Sequence, residues 1–192
     1  TPKKTSPKRL FWICALLLIL IVAGGGCGFI SATLSNLPDV SNVRPSASSQ
    51  IYDVHGNLIT TVHSTENRLP VPLKDVPKDL QNAFVATEDS RFYSHHGIDP
   101  VGILRAVWVN LVHSGVSEGG STITQQLARN AFLSQDRTFK RKISEALLAL
   151  KIEQHYTKDE ILEMYMNQIY FGQGAYGVQS AALYTLVRML AN

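Results

Sequence analysis

Cysteine is nearly missing from this chain of 192 residues, and acidic residues are missing altogether from its first 30. The two cysteines, Cys14 and Cys27, would lie about 20 Å apart on a helix, which is too far for a disulfide. No cysteine follows residue 30, so the larger part of the chain has neither a disulfide framework nor a thiolate metal site. The chain also lacks a His-Glu-x-x-His zinc motif and a P-loop ending in Gly-Lys-Ser/Thr, which argues against those two kinds of site.

The N-terminal segment has the composition of a membrane anchor. Residues 10–30 carry no charge, and a helix of this length would span roughly 30 Å, the thickness of a bilayer core. Only basic charged residues precede that run: Lys3, Lys4, Lys8 and Arg9. The positive-inside rule therefore predicts a cytoplasmic tail at 1–9, a transmembrane helix at 10–30 and an extracytoplasmic remainder. A cleaved signal peptide, or a lipoprotein processed at Cys27, is the alternative.

Charge is balanced outside the N-terminal tail. Residues 31–192 hold 14 basic against 15 acidic residues, a net charge of −1, so the isoelectric point of about 8.9 comes from the tail. This part of the chain has no basic excess of the kind that nucleic-acid binding requires. We therefore expect no nucleic-acid partner.

The sequence beyond residue 30 divides into a linker and one domain. Residues 31–49 are rich in Ser, Asn and Pro and predict a linker, whereas residues 50–192 have the periodicity of a folded domain. Two β-prone runs flank residues 55–57, which predicts a β-hairpin with His55 as a turn residue. The pattern that follows is mainly α and contains no internal repeat.

Apolar spacing and capping signals predict a short helix after Gly177 and, before it, five longer helices in the domain. They begin near Pro77, Asp99, Thr122, Arg137 and Thr157. Thr122 and Thr157 each precede a Gln or Glu by three residues, the pattern of a capping box. One face of the first helix is predicted to be buried, and it consists of Leu80, Ala83, Phe84 and Thr87. The apolar residues of the later helices are Ile103, Leu104, Val107, Trp108 and Leu111 on the second, the stripe Phe139, Ile143, Leu147 and Leu150 on the fourth, and Ile161, Leu162, Tyr165, Met166 and Ile169 on the fifth.

Two adjacent acids are the strongest candidates for catalysis. Glu88 and Asp89 fall at the predicted end of the first helix, where a side chain can project into a cleft. Neighbouring carboxylates repel each other when they are partly buried, so one of them takes up a proton more readily, as a general base must. A helix-end salt bridge with Arg91 is the non-catalytic alternative. The nearby His95 fits no metal motif, and we interpret it with Gly97 as shaping the turn that presents Glu88.

Positive charge clusters around one acid on the fourth helix. Arg137, Arg141 and Glu145 recur at intervals of four and share one face, with Lys142 beside them and Arg129 on the preceding helix. A solvated, salt-bridged helix face has this pattern. A clamp for phosphate oxygens has it too, because Arg side chains bind them with two parallel hydrogen bonds. The spacing alone leaves both interpretations open.

A glycine-rich turn leads into the third helix. Free backbone N–H groups at such a helix start favour an anion. The polar side chains that follow Gly119 and Gly120 belong to Ser121, Thr122, Gln125 and Gln126, among others. The two glutamines either bind sugar hydroxyls or cap the helix.

Four of these stretches together resemble the peptidoglycan glycosyltransferase domain (glycosyltransferase family 51) of class A penicillin-binding proteins of the 1A type. They are Glu88-Asp89-x-x-Phe92-x-x-His95-x-Gly97, Gly120-Ser-Thr-Ile-x-Gln-Gln126, Arg141-Lys142-x-x-Glu145 and Lys158-x-x-Ile161-Leu162-x-x-Tyr165-x-Asn167. Their order and spacing agree with the family over residues 37–184. The resemblance implies a mainly α, lysozyme-like glycosyltransferase domain with a small β-hairpin, preceded by one transmembrane helix.

The same resemblance implies a reaction and a set of site residues. The substrate would be lipid II, a disaccharide-pentapeptide on undecaprenyl pyrophosphate, and the product a β-1,4 glycan strand formed with inversion. Glu88 would be the base, and Glu145 a second catalytic residue that positions the cations or holds a divalent ion such as Mg²⁺; no organic cofactor is implied. The implied substrate contacts are Asp89, Ser121, Thr122, Gln125, Gln126, Arg129, Arg137, Arg141 and Lys142.

The implied partners are the nascent glycan strand, the cytoplasmic membrane and other cell-wall synthesis proteins. The implied location is the periplasmic face of a bacterial inner membrane. Arg129 stands where many family members have Lys, which keeps the positive charge.

The family continues to a fifth, Arg-rich motif, of which residues 188–190 would be a remnant. The chain also lacks the Ser-x-x-Lys and Lys-Thr-Gly motifs of the transpeptidase domain. We therefore expect a fragment or a shortened form. Two alternatives to the polymerase stay open: a muramidase of lysozyme-like fold and a non-catalytic module that binds lipid II.

Overall fold

The structure is a computed structural model that describes residues 28, 31–41, 49–56, 58–62, 67–112, 119–133, 136 and 138–190. Contacts divide the chain into two compact units, Thr1–Pro38 and Asp39–Asn192. In the first unit residues 31–35 are helical, and the predicted membrane span at 10–30 lies outside the described residues apart from Gly28. Among the helices of the described part, none is both long enough and apolar enough to cross a bilayer.

The predicted hairpin is present in the second unit. Strand β1 (Ser49–Tyr52) pairs antiparallel with strand β2 (Leu58–Val62). Asp53 closes the turn, because its Oδ1 accepts the backbone N–H of His55 at 2.8 Å and its carbonyl accepts that of Gly56 at 3.1 Å. Gly56 has a φ of +84°, which favours glycine. The hairpin and the turn position of His55 are confirmed.

Helices make up most of the rest of this unit, which confirms the mainly α prediction. The α-helices are α1 (Lys78–Glu88), α2 (Pro100–Val112), α3 (Ile123–Phe132), α4 (Phe139–His155), α5 (Lys158–Gln168) and α6 (Val178–Leu190). Two 3₁₀ turns lie at Leu73–Asp75 and Phe92–Ser94. Each predicted helix starts within two residues of its expected position.

Side-chain caps explain where α3 and α5 begin. The Thr122 hydroxyl accepts the Gln125 backbone N–H at 3.1 Å, and the Gln125 amide oxygen accepts the Thr122 N–H at 3.0 Å. Thr157 and Glu160 form the same reciprocal pair at the start of α5. Both predicted capping boxes are confirmed. Each satisfies two N–H groups that the helix itself leaves without a carbonyl partner.

The core lies where α3, α4 and α5 meet. The fully buried side chains there include Leu127, Leu148, Ile152, Ile161, Leu162 and Tyr165. The predicted apolar face of α5 is therefore confirmed. The ring of Tyr165 also meets Phe84 of α1 edge-on, with ring centroids 6.2 Å apart. These contacts give the polar residues of α3 and α4 a rigid support.

A small parallel pairing that the sequence did not predict joins distant parts of the chain. Strand β3 (Asn67–Arg68) pairs with strand β4 (Ala175–Tyr176). Two-residue strands carry no periodicity, so no sequence pattern announces them. The Asn167 side chain reinforces this connection, because its Oδ1 accepts the Val71 N–H and its amide donates to the Val71 carbonyl, both at 2.9 Å.

The apolar stripe predicted on α4 is buried only in part, because Ile143 and Leu147 are half-buried. Phe139 is 80% exposed and Leu150 is also exposed. The helix instead buries Glu145, with small and apolar residues on the same side: Ser144, Leu148, Ala149 and Ile152. Apolar spacing alone could not predict this face, because a buried acid at its centre becomes stable only when cations from the folded chain surround it.

The predicted buried face of α1 is wrong, and the apolar residues of α2 lie on the surface. On α2 the buried residues are Gly102 and Ala106, and all five predicted apolar residues are exposed. On α1 the buried residue is Gln81, whose amide donates to the Leu73 and Val76 carbonyls, while Phe84 is half-buried. Both helices are amphipathic by sequence, yet their large apolar residues lie on the surface of this unit.

Part of the predicted linker folds with the second unit. Val40 is fully buried, and its carbonyl accepts a hydrogen bond from the Tyr156 hydroxyl at 2.8 Å. Residues 42–48 lie outside the described part. The linker prediction is therefore too long at 39–41, where an apolar side chain and a backbone carbonyl are both engaged.

Candidate active site

Glu88 is the last residue of α1, and its exposed side chain lines a cleft of about 770 Å³. Asp89 follows as the residue that ends the helix, and its backbone angles, φ −160° and ψ 75°, lie outside the helical region. The polar residues lining this cleft include Glu88, Asp89, Arg105, Ser121, Gln126 and Arg129. The structure thus brings the predicted acid, the glycine-rich turn and one of the predicted cations into a single cavity.

Two neutral side chains fix the position of the Glu88 carboxylate. The Gln126 amide nitrogen donates to Glu88 Oε2 at 2.9 Å. The Tyr165 hydroxyl donates to the Gln126 amide oxygen at 3.2 Å, which sets the orientation of that amide. Burial, and then the negative charge of Glu88, raise the pKa of Tyr165, against an opposing effect of Arg129. Tyr165 therefore stays a hydrogen-bond donor, and the second carboxylate oxygen of Glu88 accepts neither of these two hydrogen bonds.

Asp89 is buried and connects two of the motifs. Its carboxylate lies 2.9 Å from His95 Nε2 and accepts the backbone N–H of Ile123, the first residue of α3, at 3.0 Å. Both of these partners of the Asp89 carboxylate, the His95 ring and the Ile123 N–H, are groups of the protein itself. The arrangement favours a positioning role for Asp89 over the substrate contact that the sequence predicted. His95 has the shaping role expected of it, since it holds the residue next to Glu88.

The turn after Glu88 is held from both sides. The Thr122 hydroxyl donates to the Gly97 carbonyl at 2.6 Å. Gly97 has a φ of +84°, and a Cβ there would lie 2.8 Å from the Ala149 carbonyl oxygen, so only glycine fits. Arg91 pairs with Asp99, which rules out the alternative in which it pairs with Glu88 or Asp89. The acid pair is thus free of the helix-end salt bridge.

Cations surround the fully buried Glu145. Arg141 binds one carboxylate oxygen, and the Lys142 ammonium binds the other at 2.8 Å. Lys142 also donates to the Ser121 hydroxyl at 2.6 Å, which connects this cluster to the rim of the cleft. The Arg141 Nε–H is buried and has no hydrogen-bond partner within the described part of the chain. An anion entering here would meet the half-exposed ammonium of Lys142, and the buried Arg141 guanidinium would add positive charge behind it.

The surroundings of Glu145 fit a divalent cation poorly. Both of its oxygens already accept hydrogen bonds from positive groups, and a second positive ion would be repelled. The described residues contain no group of three His, Cys, Asp or Glu side chains placed to share a metal ion. The metal prediction at Glu145 stays untested, and no step below depends on a metal.

The remaining predicted site residues separate into two groups. Gln126 and Ser121 line the cleft, whereas Thr122 and Gln125 are buried and use their polar atoms in the cap of α3. Arg137 lies outside the described residues. The sequence did not predict two contributors: Arg105, which lines the cleft from α2, and Tyr165, which looked like an ordinary core residue. No pattern singles out Arg105. Tyr165 belongs to the fourth motif, but its hydrogen bond to Gln126 was not predictable, because both roles depend on which elements the fold brings together.

Comparison with known proteins identifies the family. The profile of the Transglycosylase family matches residues 55–188, which include every site residue named above. The chain belongs to the transglycosylase family.

Its relatives are class A penicillin-binding proteins. The chain is 51% identical to penicillin-binding protein 1A of Escherichia coli K12 over 177 residues, which are 91% of this chain and 21% of the relative. It is 45% identical to penicillin-binding protein 1F of Bacillus subtilis 168 over 183 residues, or 94% of this chain and 25% of the relative. It is 55% identical to penicillin-binding protein 1A of Haemophilus influenzae over 133 residues, or 69% of this chain and 16% of the relative. The chain thus spans a quarter or less of the length of these relatives.

Proposed function

We propose that the protein is a peptidoglycan glycosyltransferase that polymerises lipid II into β-1,4 glycan strands and releases undecaprenyl pyrophosphate. One observation carries the proposal. An exposed acid, Glu88, shares a cleft with Arg129, and Ser121 at its rim is hydrogen-bonded to Lys142 of the Arg141–Glu145 cluster. A base and an anion site side by side are what transfer from a sugar pyrophosphate requires.

Glu88 acts as the base. It takes the proton from the 4-hydroxyl of the acceptor sugar while that oxygen bonds to the anomeric carbon of the donor. The bond from the anomeric carbon to the phosphate oxygen breaks on the opposite face, so the α-linked pyrophosphate becomes a β-1,4 linkage. The Gln126 amide holds one oxygen of the Glu88 carboxylate and leaves the other directed at the hydroxyl.

The leaving group departs with its bonding electrons as a pyrophosphate and needs positive charge more than a proton. Arg129 lines the same cleft as Glu88, and Lys142 and Arg141 lie beyond Ser121. Glu145 neutralises part of this charge and fixes the two cations in place. A preorganised cluster of this kind stabilises charge without reorganising during the reaction.

The cleft supports a polymerase better than a muramidase. An inverting glycosidase needs an acid and a base on opposite sides of the sugar, and a retaining one needs an acid and a nucleophile. Of the two acids that line this cleft within the described part of the chain, Asp89 is buried and bound to His95 and Ile123. That leaves Glu88 as the acid with an exposed side chain, and it stands next to cations that a glycosidase does not need.

The lipid-linked substrate places the reaction at a membrane surface. We propose that the domain works on the outer face of the cytoplasmic membrane, where the uncharged run at 10–30 would hold it beside its substrate. The nascent glycan strand is the second partner. Other cell-wall synthesis proteins are proposed partners on the same grounds.

Replacement of the base tests the proposal. In a reconstituted membrane assay, Glu88→Gln should lower the rate of lipid II polymerisation by about a hundredfold or more, since a general base contributes about 10²–10⁴-fold. Asp79→Asn, which removes an exposed carboxylate from the opposite end of α1 and away from the cleft, should leave the rate unchanged. Retention of more than about a tenth of the rate by Glu88→Gln would contradict the assignment.

A further inference from the structure

Arg105 is a second cation that lines the cleft, in addition to Arg129. It comes from α2 and lines the same cavity as Glu88 and Arg129. Arg129 belongs to α3, which carries the anion site together with α4, whereas α2 is a separate element. Gly120 brings α2 close to the glycine-rich turn, since a Cβ on it would lie 3.2 Å from the Cα of Ile103. The cleft thus has positive charge contributed by two elements, and the proposed leaving-group site uses only one of them.

An apolar ridge runs along α2 beside Arg105. It consists of Val101, Leu104 and Trp108, which precede or follow Arg105 by four, one and three residues. The spacing places these residues on adjoining parts of one helix surface. Their exposed fractions are 54%, 71% and 69%. Single exposed apolar residues are ordinary, but a contiguous ridge at the edge of a cleft indicates a ligand or a partner.

We infer that α2 binds the lipid pyrophosphate of the acceptor substrate. Arg105 would pair with the acceptor's pyrophosphate, and the apolar ridge would contact the first part of its polyprenyl chain. This inference rests on the proposed function, in which two lipid-linked sugars occupy the cleft together. The donor's pyrophosphate lies at the bond that breaks and needs the cluster around Arg141, so the acceptor's pyrophosphate requires a cation of its own.

The chemistry of the surface fits one occupant. A polyprenyl pyrophosphate is a doubly charged head on a hydrocarbon chain, and α2 presents one guanidinium next to one apolar ridge. Arg is the side chain best shaped for phosphate oxygens. A soluble sugar phosphate would use Arg105 and leave the ridge in water. A bare bilayer surface would use the ridge and have no need of a cation that lines the cleft.

The test measures the acceptor alone. A labelled glycan strand on its lipid serves as the donor at saturating concentration, and lipid II is titrated as the acceptor with the full chain in detergent. Arg105→Gln should raise the lipid II concentration for half-maximal rate by about tenfold or more, since hydrogen bonds to charged groups contribute that much. The maximal rate should change less than about twofold, and Arg105→Lys should restore part of the affinity.

Acceptor chain length separates the ridge from Arg105. Trp108→Ser should raise the half-maximal concentration about fivefold for a long polyprenyl acceptor and leave a short-chain acceptor unaffected. Arg105→Gln should raise the half-maximal concentration of both acceptors by the same factor. The controls are Lys140→Gln, an exposed cation that does not line the cleft, and Met189→Ser, which replaces an apolar residue exposed to a similar extent, 72%. Neither control should change the half-maximal concentration of either acceptor.

Three results would overturn the inference. The first is an unchanged half-maximal concentration in Arg105→Gln while the parent protein polymerises and Glu88→Gln does not; that result leaves the proposed function intact. The second is an equal loss for long and short acceptors in Trp108→Ser, accompanied by weaker binding to lipid vesicles without substrate, which assigns the ridge to the bilayer. If the parent protein makes no polymer, direct binding of labelled lipid II is measured instead. The third result is then an affinity for lipid II that Arg105→Gln leaves unchanged.

Discussion

At the scale of single residues, the carboxylate of Glu88, the proposed base, is positioned by neighbours that look unremarkable in the sequence. Glu88 was predicted as the base from an acid pair at a helix end on a partly buried surface, and this role stays a prediction. Its side chain is exposed, and Asp89 is the buried member of the pair. Asp89, Thr122 and Gln125 were predicted as substrate contacts, but their polar atoms are engaged within the protein. These residues differ from Glu88 in that they are buried. Which of two neighbouring polar residues becomes buried depends on the whole fold.

The hydroxyl of Tyr165 should matter for turnover rather than for binding. Tyr165→Phe removes the donor that orients the Gln126 amide, so the Glu88 carboxylate loses its fixed position. We expect kcat to fall by about three- to tenfold with little change in KM, consistent with the net contribution of one hydrogen bond. Steady-state kinetics on lipid II measure the two parameters.

Tyr156→Phe is the matched control for that substitution. It also deletes a hydroxyl donor, in this case to the Val40 carbonyl at 2.8 Å, away from the cleft. It should reduce thermal stability to a similar extent and leave kcat unchanged. Equal loss of kcat in the two variants would show that Tyr165 acts only through stability.

At the scale of elements, helix starts were predictable and helix faces were not. The capping boxes at Thr122 and Thr157 depend on local sequence alone, and both are present. The face that a helix buries depends on its neighbours. α4 turns Glu145 inward because Arg141 and Lys142 neutralise it, and an apolar stripe that includes Phe139 therefore faces outward.

The two capping boxes offer a matched pair of substitutions. Thr122→Ala and Thr157→Ala each remove a helix cap and should each destabilise the protein by about 1 kcal/mol. Thr122 also holds the Gly97 carbonyl, next to the turn that presents Glu88. Thr122→Ala alone should therefore reduce polymerisation, by about tenfold. Urea unfolding and the lipid II assay measure the two effects; equal activity in the two variants would contradict the role of Thr122 in the site.

The start of α2 should respond to acid. Burial opposes ionisation of Asp99, but hydrogen bonds from the Gly102 N–H and from Arg91 outweigh it and hold the pKa of Asp99 below its usual range. A carboxyl with a lowered folded-state pKa stabilises the protein fully above about pH 4, and this contribution is lost as the pH falls through the folded-state pKa. The stability gap between the parent protein and Asp99→Asn should therefore be constant from pH 7 to about pH 5 and shrink below pH 4.

Unfolding by urea at a series of pH values tests this dependence. Asp79→Asn, at an exposed acid in the first turn of α1, is the control and should leave stability nearly unchanged throughout. A gap for Asp99→Asn that grows as the pH falls would contradict the ionised pair with Arg91.

At the scale of the whole molecule, the sequence predicted which helices are amphipathic but not which apolar faces are covered. The faces of α3 and α5 meet each other and α4, and they are buried. Five apolar residues of α2 also recur at helical spacing, and they are exposed. Sequence periodicity describes a helix by itself, whereas coverage is a property of what surrounds it. In this protein the uncovered helix is also the one that contributes Arg105 to the cleft.

The most direct test compares the synthesis of glycan strands from lipid II with the cleavage of finished glycan. The protein in a reconstituted membrane is given lipid II in one reaction and finished glycan in another, and strand length and released undecaprenyl pyrophosphate are measured. We predict β-1,4 strands from lipid II, one pyrophosphate lipid released for each bond formed, and no change in the finished glycan. Shortening of the finished glycan while lipid II stays unused would contradict the account, because the cations at the cleft would then have no leaving group to receive.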